Sequence, residues 1–230
     1  VRLSDGRLHG PGIFDMKAGL TQMIFAVETL QELSLQPDVT PLVFVNSDEE
    51  IGSRESTPWI RRLARVSDRA LILEPPLEGK LKTTRKGIGR FTISVKGQPA
   101  HAGLDPGKGA SAILELSHLI QKLFAMNDLE RGISVNVGKI DGGISPNVIA
   151  PESTAVIDVR VPTQDDATEI TERIYALESE NPDVEIHVAG RIGRPPLEST
   201  PRNRRLWEQA RDVGRILGVD LQEASAGGGS

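Results

Sequence analysis

Two short apolar runs, Leu42-Val43-Phe44-Val45 and Ala70-Leu71-Ile72-Leu73, each give way to acid. The first leads into Ser47-Asp48-Glu49-Glu50-Ile51-Gly52-Ser53 and the second into Glu74 before Pro75-Pro76. Runs of this length bounded by turn signals read as buried strands, and the prolines forbid ladder pairing beyond Glu74. Helix-period segments over 16–34 and 54–66 alternate with strands at 41–46 and 69–74, which predicts a largely parallel sheet. In such a sheet ligands bind outside the carboxyl ends of the strands, where Glu49, Glu50 and Glu74 stand. Three acids at two strand ends suggest a metal.

A third element lies upstream, in His9-Gly10-Pro11-Gly12-Ile13-Phe14-Asp15-Met16-Lys17-Ala18-Gly19. The glycines permit a tight turn, and Met16, Leu20, Met23, Val27 and Leu30 then share one helix face. Asp15 thus sits at a helix start, where an Asp ordinarily serves as N-cap. Glu49-Glu50 alone would be a solvated acidic turn beside a helix N-terminus, and Glu74 a loop acid. What sets the three apart is their arrival at the ends of consecutive α/β elements.

From Lys82 to Ala189 the pattern changes. A strand alternates Phe91, Ile93 and Val95, and a helix carries Ile113, Leu116, Leu119, Ile120 and Leu123. Strands with Ile133, Val135 and Val137 and with Ile157, Val159 and Val161 follow, then a helix over 164–179 and a strand over 183–189. This β-α-β-β-α-β order is the split arrangement of ferredoxin-like domains. After Pro195-Pro196 a helix over 203–218 and a strand near 219–223 are expected to rejoin the first domain. The expected division is 1–80, 81–193 and 194–230.

The segments Gly10-Pro11-Gly12-Ile13-Phe14-Asp15-Met16-Lys17, Asp48-Glu49-Glu50-Ile51-Gly52-Ser53, Leu73-Glu74-Pro75 and Ala100-His101-Ala102-Gly103 together resemble the co-catalytic zinc hydrolases. The branches in question are the glutamate carboxypeptidases, aminoacylases, acetylornithine deacetylases and succinyl-diaminopimelate desuccinylases. The resemblance spans nearly the whole chain. It implies an α/β fold in which a mostly parallel-sheet zinc-hydrolase domain is interrupted by a ferredoxin-like dimerisation domain, with two zinc ions per subunit for which cobalt or manganese could substitute. Asp15 would bridge the two metals, Glu50 and Glu74 would each bind one, and Glu49 would be the general base. Adjacent acids differ in role because a ligand carboxylate is held by its metal, whereas a base must stay free to move a proton. Zinc lowers the pKa of its bound water from 15.7 to about 7, and two metals about 3.5–4 Å apart can share that water.

The resemblance also reaches the inserted domain. His101, in a strand-to-helix turn, would enter the partner subunit's site and donate a hydrogen bond to the tetrahedral oxyanion; a lone His there is otherwise an exposed turn residue. Asn147, in Ser145-Pro146-Asn147-Val148-Ile149, is by itself a turn residue. Arg160 shares a sheet face with Asp158 and by itself makes a surface pair. In the glutamate carboxypeptidase branch, residues matching Asn147 and Arg160 hold the substrate's free carboxylate, a task suited to the planar guanidinium fork. Glu74 in place of Asp, and the Gly-Pro-Gly-Ile turn, lean toward that branch.

The family also uses a zinc-binding His in a His-x-Asp segment upstream of the Gly-Pro-Gly turn and another His far downstream. Neither is in this chain, and Val1 is not an initiator methionine, so the chain reads as an internal part of a longer polypeptide. His9 is too near Asp15 in sequence to replace the upstream ligand, and His118 and His187 fall in helix and strand patterns that give them structural roles. Gly227-Gly228-Gly229-Ser230 reads on composition as a flexible linker or an expression scar. After Ala224-Ser225-Ala226 it also matches the family's glycine-rich turn near the metals, the reading the other motifs favour.

Composition narrows the function classes. A net charge of −5 with only short basic groups such as Arg202-Asn203-Arg204-Arg205 is no nucleic-acid footprint, and that group reads as a solvated helix start. No apolar stretch reaches the ~18 residues of a membrane span. The absence of cysteine removes disulfides and thiolate ligands, leaving carboxylates and imidazoles for a metal. A cytoplasmic location is expected. The function expected is zinc-dependent hydrolysis of an amide or peptide bond next to a free carboxylate, by a homodimer joined through the inserted domain. The alternative is a catalytically silent dimeric homologue that binds carboxylates without turnover. A nucleotide-binding reading of Gly10-Pro11-Gly12 fails because no P-loop Lys-Ser/Thr pair follows a long glycine-rich loop.

Overall fold

The computed structural model describes residues 1–227; residues 228–230, most of the glycine-rich segment read above, lie outside the described residues. The chain forms two compact units, Val1–Pro76 and Leu77–Ser230.

In the first unit, β1 (Arg2–Ser4) and β2 (Arg7–His9) pair antiparallel. Asp5 and Gly6 turn the chain between them with φ of 50° and 71°, the left-handed pair a two-residue hairpin needs. An irregular turn over Ile13–Lys17 leads into α1 (Ala18–Glu32). The helix starts later than its apolar period, because Asp15 and Met16 have non-helical backbone angles. Pro58 lies in the first turn of α2 (Thr57–Val66), where its missing N–H costs nothing.

The strands expected at 41–46 and 69–74 do not form: both stretches lack ladder partners. A parallel strand needs neighbours on its edges and cover on its faces. Here Leu42, Val43, Phe44, Val45, Leu71 and Ile72 are all exposed, so the parallel sheet read from the alternation is not assembled within this unit. One close packing contact is made. Gly19 is buried, and a Cβ placed on it would stand 2.0 Å from the Leu73 carbonyl oxygen. A glycine at this position lets the 71–74 segment lie against the start of α1.

The second unit holds the core. Strands β3 (Leu81–Arg85), β4 (Gly87–Lys96), β5 (Ser134–Gly142), β6 (Glu152–Val161) and β7 (Glu185–Arg194) are joined by α3 (Ala112–Phe124) and α4 (Gln164–Tyr175). The four strands β5-β6-β4-β7 form one antiparallel sheet, and the β4-α3-β5-β6-α4-β7 order is the split arrangement expected. Period-two patterning decides which face is inside. Phe91, Ile93 and Val95 of β4 and Ala155, Ile157 and Val159 of β6 are buried, whereas Arg90, Thr92, Ser94, Asp158 and Arg160 line the other face. Leu116, Leu119 and Leu123 of α3 and Ile170 and Ile174 of α4 cover the apolar face; burying one such side chain is worth ~1.5–3 kcal/mol. Ser111 Oγ accepts from Leu114 N at 3.2 Å, and Thr163 Oγ1 accepts from Asp166 N at 3.1 Å, so hydroxyls cap both helices.

The same unit takes in α5 (Pro201–Ile216) and β8 (Glu223–Ala226), the latter pairing in parallel with β3. Glu223 accepts from Thr83 Oγ1 at 2.8 Å and from Arg204 at 2.5 Å. These partners, the Thr83 hydroxyl first, hold its carboxyl below its ordinary value of 4.5.

Gly19→Ala should destabilise the first unit by about 1–3 kcal/mol, the usual cost of overpacking, outweighing alanine's helix-propensity gain of about 1 kcal/mol. Chemical denaturation measures this, and an unchanged or higher stability would contradict the contact. For Glu223 the folded pKa is depressed. Its support of the β3–β8 pair is therefore complete above 4.5 and is lost as pH falls through the lowered value. The protection factor of the Leu81 amide, which donates to Gln222 O at 2.9 Å, should fall on acidification in the native protein. The fall should flatten when Thr83→Val and Arg204→Met are combined.

Candidate functional site

The Asp15 turn is closed at both ends. Gly12 has φ 65°, Lys17 N donates to Gly12 O at 2.9 Å, and Lys17 Nζ donates to Pro11 O at 2.8 Å. Asp15 is not an N-cap: the cap position of α1 is Lys17, and no side chain caps the helix. Asp15 is exposed, with no hydrogen bond or ion pair to its side chain among the described residues. Its carboxylate is therefore unspent, and the N-cap role open to it on sequence is not taken.

Glu49 and Glu50 lie in a turn before α2, both exposed. Gly52 N donates to Glu49 O at 2.8 Å and Ser53 N to Asp48 O at 2.7 Å. Gly52 and Ser53 take φ of 96° and 51°, which reverses the chain tightly. Asp48 faces inward from this turn. Its Oδ2 accepts from Glu55 N at 2.9 Å and Ser56 N at 3.0 Å, and its Oδ1 from Asn46 Nδ2 at 3.1 Å. Hydrogen bonds to the ionised form, led by the Ser56 hydroxyl, lower its pKa to about 2. Glu74 is half-buried at the bend before Pro75.

Among the described residues, no group of three or more His, Asp or Glu side chains is placed to hold a metal ion. Asp15, Glu50 and Glu74 thus form no three-member coordination set among the described residues.

The second unit does bring predicted residues together. Ala102 N donates to Asn147 O at 3.0 Å and Ile149 N to Ala100 O at 2.9 Å, so the His101 turn and the Asn147 segment run side by side. His101 Nδ1 accepts from Gly103 N at 3.1 Å and from Leu104 N at 3.2 Å. A ring nitrogen that accepts carries no proton, so the neutral imidazole bears its proton on Nε2, in an exposed turn. Asn147 Oδ1 accepts from Ser145 Oγ at 2.6 Å, which leaves its amide N–H groups as donors. An open cleft of ≈ 310 Å³ lies by α3 and the 180–182 loop, and a larger one of ≈ 630 Å³ is bounded by Ser111, Ile113, Gly143, Ile144, Val148 and Ile149. The larger cleft runs along the Asn147 segment.

Arg160 is on the open sheet face. Its Nε donates to Asp158 Oδ1 at 2.7 Å and one Nη to Asp158 Oδ2 at 3.2 Å. The same-face pair read from the alternation is present, and it uses only one edge of the guanidinium. His118 faces Glu180 at 3.0 Å, and His187 lies on β7, so both sit within the helix and strand read for them.

Sequence reasoning passed over Asp48, Asn46 and Ser56. The pattern Ser56-Thr57-Pro58 marks a helix start, but the acceptor for that start lies eight residues upstream of Ser56, beyond any capping spacing.

Residues 83–183 match the peptidase dimerisation domain. The chain is 29% identical over 237 residues to carboxypeptidase G2 of Pseudomonas sp. strain RS-16, across 100% of this chain and 56% of that protein. It is 31% identical over 178 residues to a probable carboxypeptidase of Arthroderma otae, across 72% of this chain and 38% of that protein. The chain thus spans about half or less of the length of these relatives. In fold it is similar to the aminopeptidase PepT of Bacillus cereus, with a TM-score of 0.73 at 20% identity over 93% of this chain and 57% of that one. A dimerisation domain of this kind, following the acid-bearing turns in a chain that one carboxypeptidase matches along its whole length and another matches at 31% identity over 72% of it, places the chain in the M20 peptidase family of hydrolases.

Proposed function

We propose that the chain is part of a zinc-dependent hydrolase that cleaves an amide or peptide bond next to a free carboxylate, as a carboxypeptidase or N-acyl-amino-acid amidohydrolase. The observation that carries this reading is the His101 turn. Two backbone N–H groups occupy Nδ1, which presents an Nε2–H donor on a turn paired with the Asn147 segment, and a fixed donor is what stabilisation of an oxyanion requires. The similarity to named carboxypeptidases supports the same reading.

In this proposal Glu49 takes a proton from the attacking water and delivers it to the leaving nitrogen as the C–N bond breaks. His101 of one subunit donates to the oxyanion in the other. Asn147 and the unspent edge of the Arg160 guanidinium hold the substrate's carboxylate, since Asp158 engages only Nε and one Nη. Two zinc ions per subunit, or cobalt or manganese in their place, belong to the proposal through the donor types of Asp15, Glu50 and Glu74. Those three form no set among the described residues.

The homodimer is proposed to form along β5. This strand is one edge of the sheet. Ile140 on it and Ile113 and Phe124 on α3, which packs on β5, are exposed. An unpaired edge beside apolar helix residues suits a two-fold interface in which the same patch meets itself.

The full-length protein should hydrolyse N-acyl amino acids in the presence of zinc, and absence of turnover in the zinc-loaded protein would favour the silent dimer. Glu49→Gln and His101→Ala proteins should each be inactive, with a loss for the His101 donor of roughly 10²–10³-fold. Mixed under subunit exchange, the two should regain part of the activity; failure there would remove the shared site. Arg160→Ala should raise KM for substrates with a free carboxylate and leave an amide analogue little changed. Ile113→Glu with Ile140→Glu should shift sedimentation from dimer to monomer without unfolding the domain, whereas a persistent dimer would assign the interface elsewhere.

A further inference from the structure

Asp48 is tied into its loop by both its side chain and its main chain. Its Oδ2 receives the Glu55 and Ser56 N–H groups, its Oδ1 receives Asn46 Nδ2, and its carbonyl receives Ser53 N at 2.7 Å. Asn46 Nδ2 also reaches Ser56 Oγ at 3.1 Å and Ser53 Oγ at 3.4 Å. Ser56 is 8% exposed in a unit whose apolar side chains are largely uncovered, so this polar knot, and not a core, is what fixes the loop. Between its two halves run Glu49 and Glu50, exposed and with no side-chain hydrogen bond among the described residues.

We infer that Asp48 is a positioning residue for the hydrolytic reaction: with Asn46 and Ser56 it straps the loop 46–56 so that Glu49 and Glu50 are presented at fixed places. The inference rests on the hydrolase reading, in which Glu49 takes the water's proton. Asp48 touches no reacting atom. The competing assignment is a simple cap of α2, since the N–H groups of Glu55 and Ser56 immediately precede Thr57. The two differ in what they hold. A cap protects the amides of α2, whereas a strap protects the loop and, through it, the placement of a base. Misplacing a catalytic group by ~1 Å can cost about 10²-fold in rate.

The chemistry of the knot supplies the test. In Asp48→Asn one carboxylate oxygen becomes an NH₂ and meets the Asn46 NH₂, donor against donor. Adding Asn46→Asp restores a donor–acceptor pair with the roles exchanged. In the full-length protein, Asp48→Asn should speed hydrogen exchange at Ser53, Glu55 and Ser56 by roughly tenfold, the loss of about one hydrogen bond. Exchange in the last turns of α2 should stay as it is. It should also lower kcat about 10- to 100-fold with KM within about twofold, and the Asn46→Asp/Asp48→Asn protein should recover most of both. Unchanged loop exchange in Asp48→Asn would overturn the strap. Faster loop exchange with kcat intact, or a double variant that recovers neither, would reduce Asp48 to a helix cap and overturn the positioning role. Turnover that survives Glu49→Gln is a different failure: it removes the base assignment and with it the purpose of the strap, whatever the exchange shows.

Discussion

The structure depends on the strict alternation along β4 and β6. Because successive strand residues face opposite ways, the sequence Phe91, Ile93, Val95 against Ala155, Ile157, Val159 gives one sheet face an apolar core. A one-residue slip would send that set to solvent and drive Arg90, Asp158 and Arg160 into the core, so the register is fixed by the cost of the alternative. Helices α3 and α4 follow, since each has one apolar face and the sheet is the surface that can take it. The turns at the sheet's ends inherit this rigidity. His101 and Asn147 are therefore placed by backbone bonds between turns that spring from ordered elements.

The acids are held differently. Glu49 and Glu50 stand on a loop that no packed sheet supports within the first unit, and Asp15 on a turn fixed by Gly12 and Lys17. Precision comes there from local hydrogen bonds, which contribute individually only about 0.5–1.5 kcal/mol each. Such a loop keeps its shape only if several bonds share it, and the Asn46–Asp48–Ser56 cluster is such a case. Residues on rigid elements and residues on strapped loops would respond unequally to mutation nearby, the second kind losing placement before the protein loses its fold.

Sequence patterning was informative where one element could satisfy its own pattern. The period-two strands, the two helices between them and their order were legible because most of their apolar positions found partners within the same unit. The runs Leu42–Val45 and Ala70–Leu73 carried an equally clear strand signal, yet both stay unpaired with most of their apolar side chains exposed. Hydrophobicity reports what a segment would bury, not whether a neighbour is present to bury it. The turn at Asp15 was legible from its glycines, while the helix start slipped by two residues because backbone angles at Asp15 and Met16 override side-chain period. Asp48 was illegible for another reason: its partners are Asn46 two residues before it and Ser56 eight after it, a spacing that no capping pattern encodes.

Arg160 shows how two readings of one residue need not compete. Alternation put it on a face with Asp158, and the pair is made, through Nε and one Nη. The pair limits the rotamers of a long side chain whose free loss would cost up to ~2 kcal/mol of entropy on binding. It also leaves the opposite edge of the guanidinium with its donors parallel and unspent. Both members are half-buried at the sheet face, and an ion pair there in reach of solvent adds little to stability, so its value lies in orientation: Asp158 imposes part of the ordering that a second carboxylate would otherwise have to impose.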